Sequence, residues 1–315
     1  MNYYHKTVLL KETIDFVNPK PGGIYVDATL GGGGHLEEII DRTQGEGFFI
    51  GIDQDEAAIA NAKNKFSGKA KKIILVHDNF KNIKNIIQSQ GLAGIDGIVF
   101  DLGVSSHQID EKSRGFSYMH DAPLDMRMDQ RKSISAKHVV NNSSKEELTK
   151  IIREFGEESW AARIADFICK ARVNKVIDTT GDLVEIIKAA IPAGARRRGG
   201  HPAKKTFQAL RIYVNDELRI LRKSIEDAVE ILKPFGRISV ITFHSLEDRI
   251  VKDTFKYLAT ECVCPKESII CTCDHIKTLK VLTSRPIYPT SEEINENSRS
   301  RSAKLRASEK LPVLN

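Results

Sequence analysis

No stretch of the 315-residue chain approaches the ~18 consecutive apolar residues of a membrane-spanning helix, which excludes a helical membrane protein. The opening Met1-Asn2-Tyr3-Tyr4-His5-Lys6 lacks the apolar core of a secretory signal. Cysteine is scarce and odd in number, five in all, which argues for a reducing compartment and against a disulfide framework. These absences lead us to expect a soluble cytoplasmic protein with no membrane partner. Neither charge dominates: 48 Lys+Arg against 42 Asp+Glu leave +6, which permits an acidic partner without requiring one. Internal repeats and low-complexity tracts are missing, and 41% hydrophobic with 29% charged residues excludes wholesale disorder, collagen and coiled coil.

What is present is an alternation. Ile24-Tyr25-Val26 ends in Asp27, Phe48 to Ile52 in Asp53, Ile73 to Val76 in His77-Asp78-Asn79-Phe80, and Gly97 to Phe100 in Asp101. Amphipathic stretches such as 56–66 and 80–90 separate them. Short apolar runs between helical patterns predict a doubly wound parallel α/β sheet, with ligands at the carboxyl ends of the strands. From 106 to 211 helical patterns take over, including a capping box at Ser144-Lys145-Glu146-Glu147. Phe207, Leu210, Val214, Leu218, Leu221, Ile225, Ala228 and Leu232 then predict one long helix, and strand chemistry resumes at Arg237. The expected organisation is an α/β domain over 1–105 and 212–315, interrupted by a helical insert over 106–211.

The sharpest local feature is Asp27-Ala28-Thr29-Leu30-Gly31-Gly32-Gly33-Gly34-His35, directly after a strand. A plain strand–helix turn does not need four glycines. The dinucleotide fingerprint fails because Leu36 stands at its third glycine, and the P-loop fails because no Gly-Lys-Ser/Thr follows. With Asp53 ending the next strand, the pattern suits a nucleoside whose ribose is held by a carboxylate, and S-adenosylmethionine satisfies it. Phe80 is balanced between stacking on adenine and packing in the core. Asp101, at the end of a central strand, is either a costly burial or a site residue, and the site is favoured.

Several long runs resemble one family, the RsmH/MraW-type methyltransferases of bacterial 16S ribosomal RNA. They are His5-Lys6-Thr7-Val8-Leu9-Leu10, the glycine loop, and Asp101-Leu102-Gly103-Val104-Ser105-Ser106-His107-Gln108. They continue in Arg114-Gly115-Phe116-Ser117, Pro123 to Asp129, Phe155-Gly156-Glu157-Glu158, Thr206 to Asn215, and Phe243-His244-Ser245-Leu246-Glu247-Asp248-Arg249. The resemblance implies a class I S-adenosylmethionine-dependent methyltransferase, Rossmann-like with an inserted all-helical domain. It implies methyl transfer to the exocyclic N4 of a cytidine in the decoding region, with 16S rRNA or the small ribosomal subunit as partner. Cofactor contacts are implied at Gly33, Gly34, His35, Asp53, Phe80, Asp101 and Gln108. His107 departs from an expected proline and Phe235 from a usual glycine.

For catalysis Asp101 is the first candidate and His244 the second, His244 being balanced against a structural cap of the turn with Ser245. Asp125, Arg127 and Asp129 read as a cap and ion-pair network. Arg196, Arg197, Arg198, Lys204 and Lys205 form a basic stretch suited to RNA phosphates, with a solvated loop as the alternative. Phe116, Tyr118 and Phe207 are candidates to stack on bases, although Phe207 fits a core better. A second basic cluster, Arg299, Arg301, Lys304 and Arg306, lies near the C-terminus. Cys262, Cys264, Cys271 and Cys273 are a candidate structural zinc site, with free thiols in a surface hairpin as the alternative, and Cys169 reads as core. The competing functions are a cofactor-binding ribosome-assembly factor without turnover, or a methyltransferase acting on another nucleic acid. Methylation at C5 is disfavoured because the only Pro-Cys neighbour is Cys264-Pro265, reversed and distant. The chain is expected to be a monomer or homodimer.

Overall fold

The computed structural model describes residues 7–196, 200–265, 267–268 and 270–312. His5, Lys6, Arg197 and Arg198 lie outside them. The chain divides into two compact units, Met1–Gly103 with Leu218–Asn315, and Val104–Glu217.

The first half of the first unit runs α1 (Leu10–Val17), β1 (Gly23–Asp27), α2 (Gly34–Arg42), β2 (Gly47–Asp53), α3 (Glu56–Lys65), β3 (Ile73–His77), α4 (Ile83–Ser89) and β4 (Ile95–Asp101). The second unit carries α5 (Ser106–Asp110), α6 (Ala136–Asn142), α7 (Lys145–Gly156), α8 (Ala161–Asn174), α9 (Thr180–Ala190), α10 (Ala193–Arg196) and α11 (Lys204–Asn215). The chain then returns through α12 (Glu217–Ile231), β5 (Leu232–Thr242), α13 (Ser245–Leu258), β6 (Leu279–Val281), α14 (Ser291–Glu296) and β7 (Lys304–Lys310).

The seven strands form one sheet in the order β3-β2-β1-β4-β5-β7-β6. The first five are parallel, and β7 enters antiparallel between β5 and β6. Strand alternation sends side chains to two cores. Val26, Ile50, Ile52, Ile98 and Phe100 join residues of α4, α12 and α13 on one face, while Tyr25, Phe49 and Val99 join residues of α1, α2 and α3 on the other. Both faces are covered, so the strands read as continuous apolar runs. No helix among the described residues is long and apolar enough to cross a membrane.

The second unit has its own core, built from Leu148, Ile151, Ile152, Ile164, Ile168, Leu183, Ile187 and Leu210, with the single tryptophan, Trp160, packed against it. α7 starts at the capping box the sequence announces, where Ser144 accepts from the Glu147 N–H while Glu147 accepts from the Ser144 N–H, and Thr179 and Asp182 repeat the arrangement at α9. Arg127 forks onto Asp125 with both bonds at 2.7 Å, and Arg131 pairs with Asp129.

Two expectations are corrected. The predicted single helix over 207–232 is two, because Asp216 adopts a left-handed backbone (φ 59°) between α11 and α12. Periodicity alone does not see the break, since the apolar spacing continues across it. Leu232 opens β5, paired with Ile95 and separated by a register shift from Gly97 opposite Arg237. The second unit ends at Glu217, beyond the expected 211. Asn215 holds that end in place: its Nδ2 donates to the Met126 carbonyl at 2.7 Å and its Oδ1 accepts from the Met128 N–H at 2.8 Å. Arg211 adds a forked pair with Glu217, both bonds at 2.9 Å.

The register shift near the start of β5 carries a local strain. Phe235, where the resemblance leads one to expect glycine, has φ 65° and leaves 66% of its surface exposed. A side chain in that conformation is disfavoured, and little burial offsets it. We therefore expect Phe235→Gly to stabilise the protein by about 0.5–1 kcal/mol. Denaturant unfolding of the two proteins side by side checks this, and equal or lower stability of the variant would refute it.

Candidate active site

Parallel pairing brings three carboxylates to one edge of the sheet. β2, β1 and β4 are neighbours, and their last residues are Asp53, Asp27 and Asp101. From β1 the strand order runs one way to β2 and β3 and the other way to β4 and β5, so this edge lies at the topological switch point where such sheets bind ligands.

The acids shape the glycine loop between β1 and α2. Asp27 Oδ1 accepts the Thr29 N–H at 3.2 Å, and Thr29 Oγ1 in turn accepts the Asp101 N–H. Asp53 accepts the Gly31 N–H through Oδ2 at 2.7 Å and the Asp55 N–H through Oδ1 at 2.8 Å. Gly33 caps α2 in a left-handed conformation (φ 72°) and supplies no side chain to the helix N-terminus. At Gly34 any Cβ would fall 1.8 Å from the Thr7 hydroxyl, so only glycine fits.

His35 sits in the first turn of α2, 3% exposed. Its Nε2 lies 3.6 Å from Asp101 Oδ2, beyond hydrogen-bond distance. Both ring nitrogens, Asp27 Oδ2 and Asp101 Oδ1 are buried with no hydrogen-bond partner among the described residues. Buried polar atoms are normally satisfied, so four in one place indicate a polar ligand. Burial pushes the Asp27 carboxyl up to about 6, against the pull of His35 and the Thr29 N–H. Burial likewise pushes Asp53 up to about 6, against the N–H groups of Asp55 and Gly31.

Beside this edge, Phe80 opens a short turn after β3 and meets Phe100 edge to face at 5.6 Å. It is partly buried and packs against the core on that side of the sheet. Asn79 precedes it, and its Nδ2 donates to Gln54 Oε1 at 2.9 Å. His244, after β5, is the N-cap of α13: its Nδ1 accepts the Glu247 N–H at 3.4 Å, and Glu247 accepts the N–H groups of Phe243 and His244. The His244 Nε2 is 3.1 Å from Glu247 Oε1.

The remaining candidates lie elsewhere. Gln108, in the second unit, is buried and closes a capping box with Ser105 on α5. Arg196, Lys204 and Lys205 are exposed on the same unit, Lys205 reaching the Glu157 carbonyl at 2.8 Å. Phe207 is buried in that unit's core, and Tyr118 stacks on His201 at 4.6 Å while meeting Phe207 edge-on. Phe116 is partly buried against the same core. Lys304 and Arg306 are both tied to Asp248. The sulfurs of Cys262, Cys264, Cys271 and Cys273 gather within 4.8 Å of one another, and Cys169 packs against the second unit's core.

A family model described as the MraW methylase family matches residues 2–311. The chain belongs to this family. It is 55% identical over 311 residues to a protein of Clostridioides difficile named "Ribosomal RNA small subunit methyltransferase H", covering 99% of the chain and 100% of the relative. A protein of the same name in Acetivibrio thermocellus is 56% identical over 314 residues, with 99% and 100% coverage. One from Halothermothrix orenii is 54% identical over 307 residues, with 98% coverage of each chain.

For a methylase of this family, the residue sequence reasoning undervalued is Asp27. It carries the same signal as Asp53 and Asp101, an acid ending an apolar strand, but no contact or role of its own follows from that signal. Its buried charge has a measurable consequence. A carboxyl whose folded pKa lies above its unfolded value weakens the folded state: the penalty grows as pH rises from the unfolded value near 3.8 and is complete above about 6. We expect Asp27→Asn to raise stability in the ligand-free protein at pH 8 by up to about 3 kcal/mol, and by much less at pH 5. Urea titrations at the two pH values measure it, and a pH-independent difference would contradict the burial.

Proposed function

We propose that this methylase transfers the methyl group of S-adenosylmethionine to the exocyclic N4 of a cytidine in the decoding region of 16S rRNA, in the cytoplasm. The observation that carries the cofactor is the set of unpartnered buried atoms on Asp27, His35 and Asp101, beside a glycine loop at the switch point of the sheet. In this reading the Asp53 carboxylate holds the ribose hydroxyls, for its oxygens keep lone pairs beyond those taken by Gly31 and Asp55. Gly33, Gly34 and His35 line the cofactor and Phe80 stacks on the adenine. The substrate reading rests on full-length similarity to relatives named for small-subunit ribosomal RNA.

Bound S-adenosylmethionine supplies an already activated methyl group. The protein's task is then positioning. A cytosine amine is a weak nucleophile because its lone pair is delocalised into the ring. Asp101, partly exposed at the strand end, accepts a hydrogen bond from that amine, favours localisation of the lone pair, and holds the group in line. The amine proton leaves late. His244 is the second candidate, acting on the amine's position.

Incubation with labelled S-adenosylmethionine and either naked 16S RNA or assembled small subunits, followed by nucleoside analysis, tests the reading. N4-methylcytidine is the expected product. Cofactor binding without transfer to either substrate would favour an assembly factor, and another methylated nucleoside would move the reaction elsewhere.

The double role of His244 separates in two variants. We expect His244→Ala to lose about 1 kcal/mol of stability with the cap. We expect its turnover to fall about 100-fold at unchanged cofactor affinity. His244→Asn restores the cap and the thermal midpoint, but not turnover. Wild-type turnover in His244→Asn would leave His244 as a cap alone.

The second unit is the proposed RNA-substrate domain, with Arg196, Lys204 and Lys205 exposed on it and Arg197 and Arg198 in the same basic stretch. Lys204→Ala with Lys205→Ala should weaken RNA binding and reduce its salt slope by about 1.5 while cofactor affinity holds. An unchanged slope in filter-binding titrations would assign these lysines to a solvated helix start.

A further inference from the structure

The connection between α13 and β6 spans residues 259–278. Few loops of that length in compact domains lack regular structure without some other constraint. Among the described residues of its middle the apolar side chains do not supply one, since Val263, Ile270 and Ile276 are 42%, 75% and 72% exposed. Backbone bonds close its ends, with the Thr278 N–H on the Leu258 carbonyl at 2.9 Å, but its middle holds to itself through sulfur.

Cys262 and Cys271 lie 3.5 Å apart at Sγ, Cys271 and Cys273 3.5 Å, Cys273 and Cys262 3.7 Å, and Cys264 and Cys271 4.0 Å. A disulfide needs about 2.05 Å, so these are not bonded pairs. Four sulfurs at about 2.3 Å from one central ion would stand about 3.8 Å from each other, which is the spacing present. Backbone N–H groups also point at three of the sulfurs: Val263 at Cys273, Cys264 at Cys262 and Thr272 at Cys264, each at 3.4 Å. Such donors stabilise thiolates, the form in which cysteine binds metal. His275 is engaged otherwise, with Nε2 3.0 Å from the Tyr257 carbonyl and its ring against Tyr257.

We propose that Cys262, Cys264, Cys271 and Cys273 bind one zinc ion as a tetrahedral thiolate site that holds the α13–β6 connection together. Each cysteine pair has one intervening residue instead of the usual two, and the loop closes the tetrahedron by facing the pairs across each other. Four protein ligands leave no open coordination position, so the site is structural and stands apart from methyl transfer. Binding joins the two cysteine-bearing segments of the loop.

Metal analysis of the full chain, purified without added zinc or chelator, should find about one zinc per chain. Titration of the native protein with a mercurial reagent should release that zinc in step with thiolate modification, without any substitution. Replacement by cobalt should give the absorption of a tetrahedral tetrathiolate. Cys262→Ser with Cys271→Ser should lose the metal and become cleavable by protease within 259–278, with S-adenosylmethionine binding intact. Metal-free protein with four freely reactive exposed thiols would overturn the proposal. So would iron in place of zinc, or cysteines found as disulfides under reducing purification.

Discussion

Burial of carboxylates at the ends of neighbouring parallel strands is the constraint around which the first unit is arranged. Asp27 and Asp53 are raised to about 6 because the sheet withdraws them from water. Each is partly compensated by N–H groups of the loops that follow β1 and β2: Thr29 for Asp27, Gly31 and Asp55 for Asp53. The acids and the glycine loop therefore specify one another. The loop cannot take this path without its acceptors, and the acids cannot stay buried without the loop's donors. The atoms left over on Asp27, His35 and Asp101 give the site its appetite for a polar ligand.

The second unit obeys a different rule. Among its described residues there is no sheet, and its stability comes from a helical core, capping boxes at α7 and α9, and an end fastened by Asn215. Arg127 and Arg131 are satisfied by acids two residues away, whereas Arg196, Lys204 and Lys205 are exposed cations close together in sequence. The mild net charge thus conceals an uneven distribution. Near the C-terminus, Lys304 and Arg306 are bound to Asp248 on α13, so a cluster that looks similar in one dimension serves the sheet instead.

Strand ends were legible because each closes an apolar run with an acid, and a central strand permits few reasons for one. Gly33 and Gly34 were legible as unusual, but their reasons were not: one is a left-handed cap, the other a close contact with Thr7, a residue 27 positions away. The break at Asp216 was invisible because apolar spacing carries on through it. His244 was balanced between cap and catalyst, and the capping geometry is present with Glu247 three residues on, a spacing the sequence displays.

Local chemistry, then, determined the elements themselves: alternating apolar runs, capping boxes, and a glycine loop between two acids, since these depend on residues within a turn or two. Family resemblance in the long peculiar runs was likewise present in the sequence, and the family model matches nearly the whole chain. Tertiary structure decided what distant residues do together. It set Asp27, Asp53 and Asp101 side by side through strand pairing, left His35 without partners beside them, and drew two cysteine pairs into one cluster. Sheet order and loop closure are long-range choices, and burial, which depends on them, is what turns an ordinary carboxyl or thiol into a site.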